Sequence, residues 1–126
     1  MYARVNIWRL NDRGATWDDT AARAVADVLR TQPGFRSYTL VRSAEWEVVA
    51  VTVFESKSAL ERATAAVGDV VRERVRPLAA AEPERREGFV LHHAAPGAPA
   101  RRLRRARPDV ELAQARHAGE PRQRRK

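Results

Sequence analysis

Between Tyr2 and Ala94 the spacing of apolar residues switches between the two-residue period of a strand and the longer period of a helix, in the order strand, helix, strand, strand, helix, strand. Few folds accept that order. It is the split βαβ, or ferredoxin-like β-α-β-β-α-β arrangement, in which both helices lie on one face of a four-stranded antiparallel sheet. An α+β fold is therefore expected.

The first strand is read over Tyr2 to Leu10. Tyr2, Arg4, Asn6, Trp8 and Leu10 share one face, and Ala3, Val5, Ile7 and Arg9 the other, so an amide and an indole point the same way. Both faces carry apolar residues, as in a strand covered on both sides. After the turn-forming NDRGA, Thr16 with Asp19 reads as a capping-box start, and Trp17, Ala21, Ala24, Val25, Val28 and Leu29 form one helical stripe that Pro33-Gly34 ends. Phe35 to Arg42 and Trp46 to Phe54 are strands rich in β-branched and aromatic residues, with Ser43-Ala44-Glu45 as their hairpin connection. Ser56 or Ser58 caps a second helix with the stripe Leu60, Ala63, Val67, Val70, Val71, Val75 and Leu78, and a break or bend is expected at Gly68. The last strand is expected at Gly88 to Ala94, GFVLHHA.

The helices cover one face of such a sheet. Nothing further in the chain is available for the other, so a second copy packed sheet against sheet, a closed homodimer, is expected.

The formal net charge of +8 suggests a nucleic-acid partner until it is divided along the chain. Up to Pro96, 14 basic residues stand against 13 acidic; from Gly97 onward there are 10 against 3. The expected organisation is a folded domain over 1–95 and an Arg/Pro-rich tail over 96–126, largely disordered or with one short isolated helix at DVELAQARHAG. ARRLRRARP and PRQRRK suit weak contact with nucleic acid or an anionic surface, without stacking, because no aromatic follows Gly97. Cysteine is absent, which excludes disulfides, thiolate nucleophiles and thiolate metal sites. No window approaches the roughly 18 apolar residues of a membrane span, and the N-terminus lacks a signal-peptide core. A cytoplasmic protein is expected.

The element order, the segment PGFRSYTLVR and the run WEVVAVTVFESKSALERA together resemble the antibiotic biosynthesis monooxygenase family of dimeric α+β barrels, over about residues 2 to 95. The resemblance implies a homodimer with a pocket in each subunit between helices and sheet. It also implies one of several activities: oxidation of phenols or hydroquinones without a cofactor, haem degradation, or none assigned. RVNIWRL looks like the first strand of the haem-degrading branch, and Asn6 matches its pocket Asn. Ala63 then stands where that branch has a Trp, and Arg72 where it has the haem-ligating His. Arginine offers iron no lone pair.

Cofactor-free oxygenation asks the protein to deprotonate an electron-rich phenol, hold the anion and shield it while it reacts with oxygen. The candidates are Asn6, Arg72, His92 and His93 as catalytic groups, with Trp8 and Tyr38 as binding residues for an aromatic small molecule. His92 and His93 are adjacent on the expected strand and face opposite ways, so they do not chelate a metal together. No cofactor or metal is expected. The expected function is a cofactor-independent monooxygenase acting on a phenolic or quinol-type small molecule. The alternatives are a non-catalytic dimeric binding or accessory protein with a polyanion-binding tail, and a haem-binding or haem-degrading protein.

Overall fold

The computed structural model describes residues 1–14, 17 and 19–97. The Thr16 cap, and all of the tail beyond residue 97 with its short helix, lie outside the described residues. The chain divides into Met1–Leu91 and His92–Lys126. In the second unit the described residues, 92–97, are exposed and have no regular secondary structure.

The elements of the first unit run β1 (Tyr2–Arg9), α1 (Asp19–Leu29), β2 (Phe35–Ala44), β3 (Glu47–Phe54), α2 (Lys57–Val70) and β4 (Glu84–Phe89). The strands form one antiparallel four-stranded sheet in the order β2-β3-β1-β4, the ferredoxin-like α+β topology expected from the sequence. No described helix is long and apolar enough to cross a membrane.

One sheet face packs on the helices. Tyr2 and Trp8 of β1, Val48 and Phe54 of β3, Val25 and Leu29 of α1, and Leu60, Ala63 and Val67 of α2 make up most of this core. Phe54 and Leu60 are its largest fully buried side chains, each contributing about 1.5–3 kcal/mol by burial. Ser56 caps α2 by accepting from the Ala59 N–H at 3.1 Å. Gly34, at φ 84°, ends the turn after α1, where only a residue without a side chain sits easily; its carbonyl accepts from the Glu55 N–H at 2.8 Å.

Four local expectations are corrected. Trp17 precedes α1 instead of opening its stripe: its backbone N–H donates to the Gly14 carbonyl at 2.9 Å, and the helix starts at Asp19. The β2–β3 connection is Glu45-Trp46, so Trp46 sits at the exposed hairpin tip and not in a strand. The second helix does not break at Gly68. It stays α-helical to Val70, widens to a π-helical turn over Val71–Val75 and ends in a 3₁₀ turn at Arg76–Leu78. Gly68 has normal helical backbone; the disturbance belongs to Pro77, which lacks an N–H for the helical ladder and crowds the preceding turn.

The fourth correction is β4, which is Glu84–Phe89 and not Gly88–Ala94. The strand is polar because it is an edge strand, paired to β1 alone, with mostly exposed side chains. The apolar run that suggested a strand lies just beyond it. Phe89 is 75% exposed although its ring meets Tyr2 edge-on at 5.0 Å, and Leu91 is 98% exposed.

Candidate functional site

Strand alternation sends Arg4, Asn6 and Trp8 of β1, Tyr38 and Leu40 of β2, and Ala50 and Thr52 of β3 toward the helices, where they enclose a cavity of about 250 Å³. Arg85 of β4 closes one side. The helical wall is apolar over Val25, Leu29, Leu60 and Val67, and turns polar at Thr64, Arg72 and Arg76. This volume lies at the small end of ligand pockets.

Arg4 is the deepest charge, 8% exposed. Its Nε donates to Glu87 Oε2 at 3.1 Å and its Nη1 to Thr64 Oγ1 at 2.7 Å, while the Thr64 hydroxyl donates on to the Leu60 carbonyl at 2.8 Å. Tyr2 OH donates to the other Glu87 oxygen at 3.1 Å. Partial burial pushes the Glu87 carboxyl up, but the hydrogen bond and charge of Arg4 outweigh it and hold the group below its ordinary value. Burial, then the bond to Glu87, raises the Tyr2 phenol. This network ties β1, β4 and α2 together under the cavity.

Asn6 pairs across the sheet with Arg85. Its Oδ1 accepts from Arg85 Nε at 3.2 Å, which leaves the Nδ2 hydrogens to donate elsewhere. Tyr38 OH has no hydrogen-bond partner among the described residues, and burial pushes its phenol up to about 12. Tyr38 is thus a proton donor near neutral pH, not a base. Arg72 is ion-paired with Asp69 and Arg76 with Glu82, both at the exposed edge of the cavity. Arg85 forms no ion pair among the described residues, and its charge lowers the Glu82 and Glu87 carboxyls only from longer range.

The sequence candidates therefore separate. Asn6, Trp8, Tyr38 and Arg72 line one cavity. His92 and His93 are not among its lining residues; they open the second unit, past the end of β4. Sequence reasoning missed Arg4, Thr64 and Arg85, and assigned Trp17 to helix packing. Arg4 was open to recognition, since it alternates in step with Asn6 and Trp8. Arg85 was not, because its facing depends on where β4 begins.

Among the described residues no group of His, Cys, Asp or Glu could hold a metal ion. The lining residues offer no imidazole, thiolate or thioether to haem iron, and burial keeps their one phenol, Tyr38, protonated. Ala63, at the position of the haem branch's Trp, is 0% exposed and packed in the core. The residues present do not fit haem.

Fold and cavity together define a ferredoxin-like α+β domain with a partly open site of small-molecule size between sheet and helices. A family model described as antibiotic biosynthesis monooxygenase matches residues 2–67, and the chain belongs to that family. Among solved structures, the N63A variant of SnoaB, a cofactor-independent oxygenase from Streptomyces nogalater, is 25% identical, with a TM-score of 0.60 over 73% of this chain and 94% of its own. MupZ from Pseudomonas fluorescens is 10% identical, with a TM-score of 0.61 over 68% of this chain and 69% of its own. A Nitrosomonas europaea protein of unknown function, 7% identical, gives a TM-score of 0.66 over 76% of this chain and 94% of its own, a likeness of fold alone. No curated protein matches the sequence.

Proposed function

We propose that the protein is a cofactor-independent monooxygenase acting on a phenolic or quinol-type aromatic bound in this cavity. One observation carries the reading: free donors and positive charge converge on a cavity with largely apolar walls. Asn6 Nδ2 and Tyr38 OH donate, Arg85 supplies charge, and Trp8 and Leu60 give apolar walls. Such a site favours a phenolate over the neutral phenol, because the anion gains both hydrogen bonds and Coulomb attraction. Family membership and the SnoaB likeness support the same reaction class.

The chemistry balances without a cofactor. A phenolate carbon adds dioxygen to give a hydroperoxide, and loss of water leaves the quinone. One oxygen atom stays in the product, the other leaves as water, and the substrate supplies all the electrons. The protein's part is to bind, orient and keep the anion dry. Oxygen uptake by the purified protein with 1-naphthol and anthrone tests it; no turnover of either, with metal-free protein that binds them, sinks it.

A second reading, a non-catalytic small-molecule-binding or accessory protein, is favoured by one fact. No His, Asp or Glu is among the described residues that line the cavity, so that lining offers no general base. Homodimerisation fits both readings. Val5 and Ile7 of β1, Val49 and Val51 of β3 and the 47% exposed Val41 of β2 lie on the sheet face away from the helices. Contact of the tail with a polyanion rests on its sequence, and removal of 97–126 followed by a low-salt nucleic-acid retention assay tests it.

A further inference from the structure

We infer that Arg4 and Arg85 form an anion subsite on the β1–β4 side of the cavity, and that it takes a carboxylate carried by the bound molecule. The inference rests on the reading of the cavity as a small-molecule site and adds a second recognised group to the ligand.

Arg4 and Arg85 are diagonal neighbours on the sheet, because Arg4 is the register partner of Glu87 and Asn6 that of Arg85. Long side chains on such a diagonal reach one another. Both arginines line the cavity, and no Asp or Glu is among the described residues that do. Arg4 is 8% exposed, and its guanidinium is held on two sides, by Glu87 at Nε and by Thr64 at Nη1. Its Nη2 has no hydrogen-bond partner among the described residues, and it is not sealed in as the unpartnered Trp17 Nε1 is. Nη2 therefore keeps access to open space at a residue that borders the cavity. A donor fixed before the ligand arrives loses little freedom on binding.

Arg85 supplies the other half. Asn6 Oδ1 engages its Nε, which leaves both Nη groups, the planar fork that matches the two oxygens of a carboxylate. Arg85 is exposed, so water and salt screen its charge more than that of the buried Arg4.

Charge balance selects the anion. Glu87 offsets Arg4, and Arg85 forms no ion pair among the described residues, so one positive charge is left over at this corner. A carboxylate brings one negative charge and an oxygen for each guanidinium. A phosphate monoester brings about 1.5 to 2 negative charges and leaves an excess beside Glu87. The apolar walls at Trp8, Leu60 and Val67 hold the body of the acid, and Asn6 Nδ2 and Tyr38 OH remain for an oxygen elsewhere on it.

Calorimetric titration of the full-length protein with 6-hydroxy-2-naphthoate and with its methyl ester, which keeps the rings and the phenol but not the charge, tests the assignment. Wild type should bind the acid at least about tenfold more tightly than the ester, the scale of one charge-assisted hydrogen bond. Arg85→Gln should remove most of that preference, with ester affinity within about twofold of wild type. Arg4→Lys, which keeps the charge beside Glu87 but not the fork, should lower acid affinity by about tenfold. Arg85→Gln keeps the test decisive if Arg4→Lys folds poorly. Equal binding of acid and ester by wild type, an acid preference intact in Arg85→Gln, unchanged acid affinity in folded Arg4→Lys, or tighter binding of 2-naphthyl phosphate than of the acid overturns the inference. Oxygen uptake is read separately: an acid preference without turnover of any phenol upholds this inference and sinks the monooxygenase, whereas turnover with no acid preference does the reverse.

Discussion

Asn6 Oδ1 accepts a hydrogen bond from Arg85 Nε at 3.2 Å, between residues that are register partners on β1 and β4. The bond orients the amide so that its N–H groups are available to the cavity, and it anchors a guanidinium at the cavity's side. Neither group alone does both.

Asn6→Ala should lower kcat/KM for a phenolic substrate by about 10- to 100-fold, the lower range for loss of one preorganised donor. Asn6→Asp should not rescue it, because a carboxylate repels a phenolate. Steady-state oxygen uptake reads both, with far-UV circular dichroism as the folding control.

Tyr38 gives a pH prediction with a definite sign. Its phenol lies near 12 in the folded protein against an ordinary 10, so folding holds the proton more tightly than the unfolded chain does. The resulting stabilisation is complete below about pH 10 and is lost as pH rises toward 12. Tyr38→Phe should flatten the fall in melting temperature across that window. The variant should also bind a phenolic ligand several-fold more weakly at pH 7, through loss of the donor.

The Arg4–Glu87 pair responds at the other end of the scale. Glu87 titrates below its ordinary value of 4.5, so its contribution is present above that pH and disappears as pH falls through the folded value. Glu87→Gln should be less stable than wild type at pH 7, and the gap should narrow as pH falls below 4.5, by thermal melts across that range. Arg4→Met should be the more damaging change, by about 1–3 kcal/mol, because it leaves the Glu87 carboxylate without its cation and with the Tyr2 hydroxyl as its one hydrogen-bond donor.

Core substitutions on α2 should separate stability from function. Leu60→Ala, at a site 2% exposed, should cost about 2–5 kcal/mol. Ala63→Trp, which restores the residue type of the haem branch, should destabilise by overpacking and produce no Soret shift on haem titration, since Ala63 has no space to grow into. Denaturant melts and absorbance titration read these two results.

For the uncovered sheet face, sedimentation should give a dimer mass for wild type. Val51→Glu, which places a charge on the middle of that face, should give a monomer with an unchanged circular dichroism spectrum. A monomeric wild type removes the dimer from the proposal.

The sequence carried the element order because that information is local. Period two at Tyr2–Arg9 and the helical stripe from Leu60 to Val75 follow from which side chains a strand or helix must turn inward. It also placed Asn6 and Trp8 on one face by alternation alone. Both lie inward in the structure.

What local pattern could not supply was anything decided by a partner distant in sequence. β4 is made of Glu84, Arg85, Arg86 and Glu87, which look like loop, and becomes a strand because β1 offers an unpaired edge and Arg4 and Asn6 offer partners. The apolar GFVLHHA run drew the strand assignment five residues too far, and carried His92 and His93 with it. Trp17 looked like one more apolar residue of a helical stripe; only the turn that Asn11 closes shows that it stands before α1. Periodicity records which side chains avoid water, and so determined the fold. Charges and donors are placed by the groups they meet across the sheet, and those meetings exist only once the tertiary structure has formed.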